Sequence, residues 1–352
     1  MHDHQDTDDR RDLPPLSERV AAPPTYAPRH PLVARWRPAT ADDVDAVWEV
    51  VKAMDAVDHP NYITTRDEVA EELGYSFVDL ERDTLLAETD DGRVVAVGVV
   101  FEPPRKETLV REFLNGGVHP TFTGRGIGRE LLAWQLARGE QKLAASDARL
   151  PGWLVGYADQ RAPLRERLLR AGGLEPVRYF LGLERDLATP IPEVLPAEGV
   201  RIQPYAPELS EAVHRARDEA FGDHWGSQPM SDEQWESFLG GTFRPDLSFV
   251  ALATGDGREE VAGFVLTQVN EDDWTAQGFT GAYVAALGTT RAHRGRRIAP
   301  ALLSATLAAC AERGWERVTL DVDAENPTGA LGLYTRLGFE TATRETGMVR
   351  AY

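Results

Sequence analysis

Apolar and polar residues alternate in the same order in the two halves of the chain. In residues 85–100, two apolar runs flank a turn at Asp91, and this arrangement predicts a β-hairpin. Residues 249–266 repeat the pattern around Asp256, which lies 165 positions after Asp91. A pattern that recurs at a fixed interval predicts two copies of one domain.

Within each copy the apolar period changes between strand and helix in a fixed order. The copies open on strands at Arg35 and Arg201, each followed by a helix with acidic residues in its first turn. After the hairpin come a strand, a loop rich in Gly and Arg, a long helix, a strand, a short helix and a last strand. This order predicts an α/β fold for each copy, with a mixed central sheet flanked by helices.

Composition sets the expected boundaries of the two copies. Residues 1–30 are rich in Asp, Arg and Pro and lack an apolar period, so we expect a disordered leader. Residues 188–198 contain three prolines and predict a stiff linker. We therefore expect an N-terminal module at residues 31–187 and a C-terminal module at residues 199–352.

The composition suits a folded protein of two domains. With 42% hydrophobic residues in 352, the chain can form two cores, and no apolar run approaches the roughly 20 residues that span a bilayer. The first residues show no targeting signal, so we expect a cytoplasmic protein. The lone cysteine, Cys310, lies in an apolar helical stretch and predicts a buried inert thiol. We expect no metal site, and we assign His2 and His4 to a solvated tail.

The formal net charge of −19 limits the expected partners. Nucleic acid and anionic membranes require a basic footprint, so we expect neither as the main partner. A cationic small-molecule amine is compatible with this charge. The sequence leaves monomer and homodimer open.

A loop in each copy has the features of an anion site. In residues 114–129, glycines precede a helix, and the free amides at a helix N-terminus favour a pyrophosphate. The loop is not a Walker loop, because no Gly-Lys-Ser/Thr follows, and it does not open a first βαβ unit as a Rossmann fingerprint does. A glycine-bearing turn without a ligand is the alternative.

The two loops resemble the signature V-x-P-x-x-R/Q-G-x-G-x-G/A of the GNAT acyltransferases. Residues 118–128 match it except at Thr123, and residues 289–299 match it from Arg294 onward except that Arg297 replaces a glycine. The resemblance implies acetyl-CoA as co-substrate and a splayed pair of central strands that holds its pantetheine arm. The cofactor-binding positions that it implies are Val118, Thr123, Gly124, Arg125, Gly126, Ile127 and Gly128 in the first copy, and Leu287, Thr289, Arg294, Gly295, Arg296, Arg297, Ile298, Ala299 and Asn326 in the second.

Residues 326–339 resemble the family motif N-x-x-[AG]-x-x-[LF]-Y-x-x-x-G-F, with one additional residue between Asn326 and Ala330. Asn326 is a good N-cap, Pro327 favours a first helical turn, and Gly338 predicts the end of the helix. In the family the asparagine contacts the pantetheine arm and the tyrosine protonates the departing thiolate, which implies this catalytic role for Tyr334. The alternative is an aromatic ring that closes the helix onto the core.

The first copy lacks this acid. Leu169 stands 165 positions before Tyr334, and Arg161 stands at the place of Asn326. Tyr179 follows the helix and is predicted to be a strand residue. We therefore expect the N-terminal module to bind acyl-CoA or to support its partner, and the C-terminal module to be the catalyst.

His224 is the candidate general base of the second copy. An imidazole titrates near neutral pH, and the region after the first helix lines the acceptor site in the family that the chain resembles. Trp225 and Trp235 are candidates for a wall of that site, with core packing as the alternative. A chain of waters can replace the base. The rival carboxylates are Asp272, Asp273 and Glu219.

These features predict an acetyl-CoA-dependent N-acetyltransferase that acts on an amine of a small molecule. The tandem layout also resembles the mycothiol synthases, which acetylate a cysteinyl amine, although residues 281–283 lack the acid expected on the central strand. A non-catalytic acyl-CoA-binding regulatory protein is the alternative of a different class.

Overall fold

The computed structural model describes residues 13–59, 62–255, 258–326 and 329–352. The chain folds into two compact units. The first unit comprises the chain up to Arg178 together with Glu345–Tyr352, and the second unit comprises Tyr179–Arg344. The turn predicted at Asp256 and the tail predicted around His2 and His4 lie outside the described residues.

The first unit is built around one mixed sheet. Its sheet order is β1-β2-β3-β4-β5 followed by the end of β12, and β4–β5 is the only parallel pair among the described strands of this unit. The elements are β1 (Arg35–Arg37), β2 (Thr84–Glu88), β3 (Val94–Phe101), β4 (Val110–Val118), β5 (Gly152–Asp159) and β12 (Glu340–Ala351), with helices α1 (Leu16–Arg19), α2 (Val44–Asp58), α3 (Arg66–Gly74), α4 (Leu80–Asp83), α5 (Ile127–Ala144) and α6 (Pro163–Ala171).

The second unit repeats this plan, as the recurring sequence pattern predicts. Its sheet order is β7-β8-β9-β10-β11 followed by the end of β6, again with one parallel pair, β10–β11, among the described strands. The elements are β6 (Glu175–Asp186), β7 (Val200–Pro204), β8 (Phe249–Gly255), β9 (Arg258–Gln268), β10 (Gly281–Thr289) and β11 (Arg317–Asp323), with helices α7 (Ser210–Phe221), α8 (Asp232–Phe238), α9 (Glu271–Gln277), α10 (Ile298–Glu312) and α11 (Ala330–Arg336).

A glycine in the third strand of each sheet lets the long helix approach closely. A Cβ atom on Gly98 of β3 would lie 2.7 Å from a methyl carbon of Leu131 in α5. A Cβ atom on Gly263 of β9 would lie 2.7 Å from a methyl carbon of Ile298 in α10. These contacts fix the start of each long helix, and hence the loop before it, against the sheet.

The last strand of each sheet comes from the other sequence copy. Residues 345–351 of β12 pair antiparallel with β5, and residues 180–186 of β6 pair antiparallel with β11. The observed units therefore differ from the expected modules at residues 31–187 and 199–352. The repeat alone does not show which sheet each strand joins. Each strand follows the short helix of its own copy, and either strand suits an antiparallel position at the edge of either sheet.

The segment before β1 is folded over part of its length. Leu16 of α1 is fully buried in the core of the first unit, and its N–H donates to the carbonyl of Ala148 at 3.0 Å. Val20 is buried in the same core. The prediction of a disordered leader over residues 1–30 is therefore wrong for residues 13–30, because two apolar side chains four positions apart are too few to show a period in the sequence.

Residues 188–198, the predicted linker, lie against the second unit. The hydroxyl of Ser304 donates to the carbonyl of Pro192 at 2.6 Å, and the N–H of Ala197 donates to the carbonyl of Arg296 at 3.1 Å. Ile191 also packs on the apolar core of that unit. The stiff linker is therefore docked on the second unit, and it is called the docked strap below. None of the helices in the described residues has the length and apolarity needed to cross a bilayer.

We expect Leu16→Ala to destabilise the first unit by about 2–5 kcal/mol, because it empties a fully buried leucine site. At roughly 2–4 °C per kcal/mol for domains of this size, the melting temperature falls by several degrees, which thermal melting of the full chain measures. Leu195→Ala is the control, because Leu195 is 66% exposed. An unchanged melting temperature in Leu16→Ala would show that the segment is not docked in solution.

Candidate active site

The parallel strands at the centre of the second unit separate along their length. The ladder between β10 and β11 covers only residues 281–283 and 317–319. On its other edge, β10 stays paired with β9 as far as Thr289. The later part of β10, which includes Leu287 and Thr289, therefore has no strand partner on the β11 side among the described residues. The splay implied by the family resemblance is present, and it leaves backbone groups for a ligand.

The loop after β10 enters α10 through a left-handed residue. Arg297, the N-cap, has φ of 55° and is the only non-glycine with positive φ in the described part of the chain. Gly126, the N-cap of α5 in the first unit, has φ of 101°. The turn therefore keeps its shape despite the arginine, at a cost of about 1–2 kcal/mol. The backbone amides at the start of the 15-residue helix α10 remain at the end of this turn.

The arginines of this loop have different partners. Arg291 and Arg294 both reach the carboxylate of Asp223, at 2.5 and 3.3 Å. Arg296 donates instead to the carbonyl of Glu198 at 3.0 Å and holds the docked strap. The Arg294 pair is partly exposed and therefore weak, so this guanidinium can exchange Asp223 for a phosphate.

Three of the predicted cofactor-binding positions can contact a ligand only through their backbone groups. Ile127 and Ile298 are both fully buried, one in each core. Their side chains anchor the first turns of α5 and α10, and only their amides can face a ligand. Ala299, the second residue of α10, is likewise limited to its amide as a hydrogen-bonding donor.

Tyr334 lies in the last turn of α11, where the chain forms a Schellman motif. The N–H of Phe339 donates to the carbonyl of Tyr334, and that of Gly338 donates to the carbonyl of Thr335, both at 3.0 Å. Gly338 has φ of 85°, the left-handed conformation that this cap requires. The rings of Tyr334 and Phe339 meet in a T-shaped contact with centroids 5.8 Å apart. The predicted helix stop at Gly338 is confirmed.

The phenol of Tyr334 is held in its protonated form. The side chain is 8% exposed and belongs to the apolar cluster that contains Ile298 of α10 and Val322 of β11. Burial raises the pKa of Tyr334 to about 12, so the hydroxyl keeps its proton at neutral pH. Leu287 of β10 packs on the same cluster, which therefore borders the gap between β10 and β11. Tyr334 is therefore a core ring whose hydroxyl carries its proton at neutral pH.

The helix that carries Tyr334 begins later than the sequence predicts. Its first residue is Ala330 and its N-cap is Gly329, which has φ of 69°. The carbonyl of Asn326 accepts the N–H of Gly329 at 3.2 Å, so Asn326 forms a turn before the helix. The prediction of Asn326 as N-cap is wrong, because the left-handed Gly329 interrupts the helical path. Pro327 lies outside the described residues.

His224 lies in the loop after α7, close to the end of β11. Its ring contacts that of Phe221, with centroids 4.5 Å apart. The charges of Asp323, the last residue of β11, and of Arg294 in the loop both act on it. Burial, the largest influence, lowers the pKa of His224, so the imidazole is neutral at pH 7 and can accept a proton.

The rival carboxylates have other roles. Glu219 accepts the N–H of Arg291 at 2.8 Å and so supports the loop. Asp273 is buried and accepts a hydrogen bond from the side chain of Asn270 at 3.0 Å. Asp272 and Asp273 lie in α9, before β10 begins, and thus at the strand end away from the loop.

The two candidate tryptophans separate in the structure. Trp225 follows His224, and its ring lies 6.3 Å from that of Phe180, the strand partner of Asp323. Trp235 is buried in a core, where it stacks on His214 with centroids 4.7 Å apart. Only Trp225 is near the end of β11, so Trp235 packs as a core residue.

The first unit retains the loop and a cleft. Gly124 and Gly126 have φ of 74° and 101°, and the loop borders a cleft of about 610 Å³ that Val118, Thr123 and Gly128 help to line. The hydroxyl of Thr123 donates to the carbonyl of Pro120 at 2.8 Å. Thr123 therefore stabilises the loop and supplies none of the charge that Arg294 gives the second unit.

Arg165 fills the gap between the splayed strands of the first unit. The guanidinium donates to the carbonyls of Leu114 and Gly116 on β4, at 3.2 and 2.6 Å, and to the carbonyl of Tyr157 on β5 at 2.5 Å. Ala330 occupies the corresponding place in the second unit, 165 positions later. The first unit thus satisfies from within the strand groups that the second unit leaves for a ligand.

Leu169 takes the place of Tyr334 in the first unit. Its carbonyl accepts the N–H of Leu174 at 3.1 Å, and Gly173 has φ of 81°, so the same Schellman motif closes α6. Leu169 is buried, and a Cβ atom on Gly156 would lie 2.9 Å from one of its methyl carbons. The two units present one backbone frame, with a proton donor only in the second.

Sequence reasoning missed two residues of these sites. Arg165 carried a signal, because it stands 165 positions before Ala330, where the family motif has Ala or Gly. Asp223, which pairs with Arg291 and Arg294, carried none beyond its place next to His224.

Known proteins are similar to this chain in sequence and in fold. The Acetyltransferase (GNAT) family matches residues 210–339. The mycothiol acetyltransferase of Thermobispora bispora is 30% identical over 306 residues, which cover 85% of this chain and 93% of that protein. The mycothiol acetyltransferase of a Nocardioides species is 30% identical over 243 residues, covering 65% of this chain and 77% of that protein.

Solved structures agree with this comparison. A GCN5-related N-acetyltransferase from Sphaerobacter thermophilus superposes with a TM-score of 0.65 at 27% identity, covering 90% of this chain and 95% of its own. A tandem GNAT protein from the clavulanic acid biosynthesis pathway has a TM-score of 0.65 at 17% identity, covering 90% of this chain and 98% of its own, and supports the fold alone.

Proposed function

Because the chain belongs to the GNAT acetyltransferase family and is a tandem N-acetyltransferase, we propose that its second unit transfers an acetyl group from acetyl-CoA to an amine of a small molecule. The observation that carries this assignment is the difference between the equivalent positions 169 and 334. The same capped helix end carries an inert Leu169 in the first unit and a protonated Tyr334 in the second.

The residues of the second unit fit acetyl-CoA. The amides of Gly295, Arg296 and Arg297 and the first amides of α10 form an anion site for the diphosphate, and the guanidinium of Arg294 adds charge. The stretch of β10 with Leu287 and Thr289 is unpaired on its β11 side, and its free backbone groups suit the amide groups of the pantetheine arm. Asn326 closes the turn beyond β11. In the first unit, the loop from Thr123 to Gly128 keeps a diphosphate site, and Arg165 blocks the arm.

In the proposed reaction, Tyr334 is the acid and His224 is the base. When bound, acetyl-CoA supplies the acetyl thioester. The neutral imidazole of His224 accepts the proton of the incoming amine, directly or through a water molecule. Tyr334 gives its hydroxyl proton to the sulfur that leaves. Trp225 and Phe180 form an aromatic wall for the acceptor at the end of β11.

Thiol release from acetyl-CoA across a panel of primary amines tests this function. Product that increases with one amine, and is confirmed as an N-acetyl derivative by mass, supports the enzyme. Tight acetyl-CoA binding without release for any amine would favour the non-catalytic binding protein instead.

The relatives named mycothiol acetyltransferase favour a narrower second candidate, acetylation of a cysteinyl amine. Cysteinamide and serinamide are matched acceptors, because they differ in one atom. Mass detection of the N-acetyl product avoids interference from the thiol of the probe. A preference for cysteinamide in kcat/KM supports this acceptor, and equal values refute it.

We expect Gly295→Val and Arg294→Glu to weaken acetyl-CoA binding about tenfold or more. A side chain at Gly295 meets no neighbour within 4 Å, so the effect comes from its φ of 79°, which valine resists, and from the resulting shift of the loop amides. Glutamate at position 294 replaces a phosphate partner by a repelling charge. Isothermal calorimetry measures the affinity.

Arg215→Glu is the matched charge control for these variants, because Arg215 is exposed and pairs with Glu211 on α7. Its acetyl-CoA affinity should equal that of the parent. Unchanged affinity in both loop variants would place the diphosphate site elsewhere.

A further inference from the structure

The first unit contains a second cavity, on the other side of Arg165 from α5. It measures about 240 Å³ and lies between α2, α3 and the central strands. At roughly 30 Å³ per water molecule, this volume holds a ligand of about eight non-hydrogen atoms. Its lining combines carboxylates with aromatic rings, and nothing in the proposed transfer reaction uses it.

Acidic groups outnumber basic groups around this cavity. Arg165 and His59 are the basic residues among its described lining residues. Against them stand five carboxylates from four elements, which are Asp55 and Asp58 on α2, Glu72 on α3, Asp159 on β5 and Glu345 on β12. Asp159 is paired with Arg161 at 3.0 Å, so four carboxylates remain to set the charge of the cavity. The excess of negative charge selects against an anion.

Two of these carboxylates are left for a ligand. Asp55 accepts the N–H of Thr64 at 2.8 Å and lies 3.3 Å from His59, so it is already satisfied. Glu72 and Asp58 have no hydrogen bond or ion pair with any other residue in the described ranges, although the charges of His59 and Arg165 act on Asp58. Protein atoms crowd the carboxyl group of Glu72, and the side chain as a whole is exposed where it borders the cavity.

Aromatic rings form the rest of the lining. Phe101 and Tyr157 line the cavity, and Phe113 stacks on Phe101 with centroids 4.9 Å apart and on Tyr157 at 6.4 Å. Tyr75, also in the lining, stacks on Phe77 at 4.8 Å. Ring faces beside unpaired carboxylates are the combination that binds organic ammonium groups, because both attract a cation and the rings also accept its apolar stem.

We infer that the first unit binds a small organic amine, of the size of an aliphatic diamine, in this cavity and does not acetylate it. One ammonium lies between Glu72 and Asp58, and the alkyl stem lies along the rings of Phe101 and Tyr157. Arg165 lines both this cavity and the cleft beside the loop, and its guanidinium occupies the gap between β4 and β5 where a pantetheine arm would lie. The inert Leu169 stands where an acid would be needed.

The ionisation of Glu72 agrees with this assignment. Burial, with the nearby charges of Glu68 and Asp55, raises the pKa of Glu72 to about 7. A carboxylate that is costly to ionise in the free protein gains most from a bound cation. Binding therefore strengthens as the pH rises through 7, where Glu72 loses its proton.

Calorimetry of the full chain with 1,5-diaminopentane at pH 8 tests the inference, with 1,5-pentanediol as the neutral ligand of equal length. We expect the diamine to bind and the diol not to bind. Glu72→Gln and Asp58→Asn should each weaken diamine binding about tenfold or more. Equal binding of diol and diamine, or unchanged affinity in both variants, would overturn it.

A second measurement separates lost binding from lost folding. Glutamine mimics the protonated carboxyl, so Glu72→Gln should melt at a higher temperature than the parent at pH 8 and at a similar temperature at pH 5. Gly295→Val in the second unit serves as the location control and should keep diamine affinity. If Gly295→Val lost it while Glu72→Gln kept it, the amine would bind in the second unit and the inference would fail.

Discussion

Tyr334→Phe is expected to lower the rate of acetyl transfer by about 10²- to 10⁴-fold while acetyl-CoA binding is retained. Phenylalanine keeps the ring that packs against Phe339 and lies in the core of the second unit, and it removes only the hydroxyl. In the proposed reaction, the leaving thiolate then lacks the proton that Tyr334 donates. Single-turnover kinetics measures the chemical step, and calorimetry measures binding.

Leu169→Ala is the matched variant at the equivalent position of the first unit. Leu169 is buried, so this change should cost about 2–5 kcal/mol of stability and leave the rate of the chemical step unchanged. Near-normal transfer by Tyr334→Phe, when chemistry limits the rate, would make Tyr334 a structural residue. The assignment of the second unit as the catalyst would then lose its main support.

Deleting Glu345–Tyr352 is expected to unfold the first unit. These residues supply the sixth strand of its sheet, paired with β5 from residue 345 to residue 351. Their loss uncovers β5, removes the fully buried Met348 from the core, and breaks the hydrogen bond from Tyr352 to Glu140 at 2.7 Å. Differential scanning calorimetry and limited proteolysis should show cleavage in the first unit under conditions where the full chain resists.

Met348→Ala is a milder variant for comparison with the deletion, because it empties one buried site and keeps the strand. It should lower stability by about 2–5 kcal/mol, less than the deletion. A truncated chain with the melting profile of the full chain would mean that the first unit does not depend on the last strand.

Local patterns were sufficient for much of the fold and part of the site. The tandem repeat, the two mixed sheets, the loops before α5 and α10 and the helix stop at Gly338 all follow from the spacing of apolar residues and glycines. The contrast between Leu169 and Tyr334 followed from the repeat as well. These features are encoded within short stretches, where backbone conformation and apolar period are set by adjacent residues.

The sequence did not predict the late start of α11 or the folded segment before β1, because the local signals at both places are weak. Asn326 and Pro327 are good helix-start residues, but the left-handed Gly329 delays the helix to Ala330. Leu16 gains its burial from a distant core and not from its neighbours, so composition alone gave the wrong result for residues 13–30.

The sequence by itself determined that the chain is two GNAT-like α/β copies and that the second alone carries a tyrosine at the end of its short helix. Only the tertiary structure decided which sheet receives β6 and β12, because strands of similar length and pattern are interchangeable until they pair. It also decided that Arg165 closes the gap of the first unit and that Glu72 opens into a cavity. The groups around Arg165 and Glu72 come from strands and helices far apart in sequence. The spacing of neighbouring residues therefore does not predict these contacts.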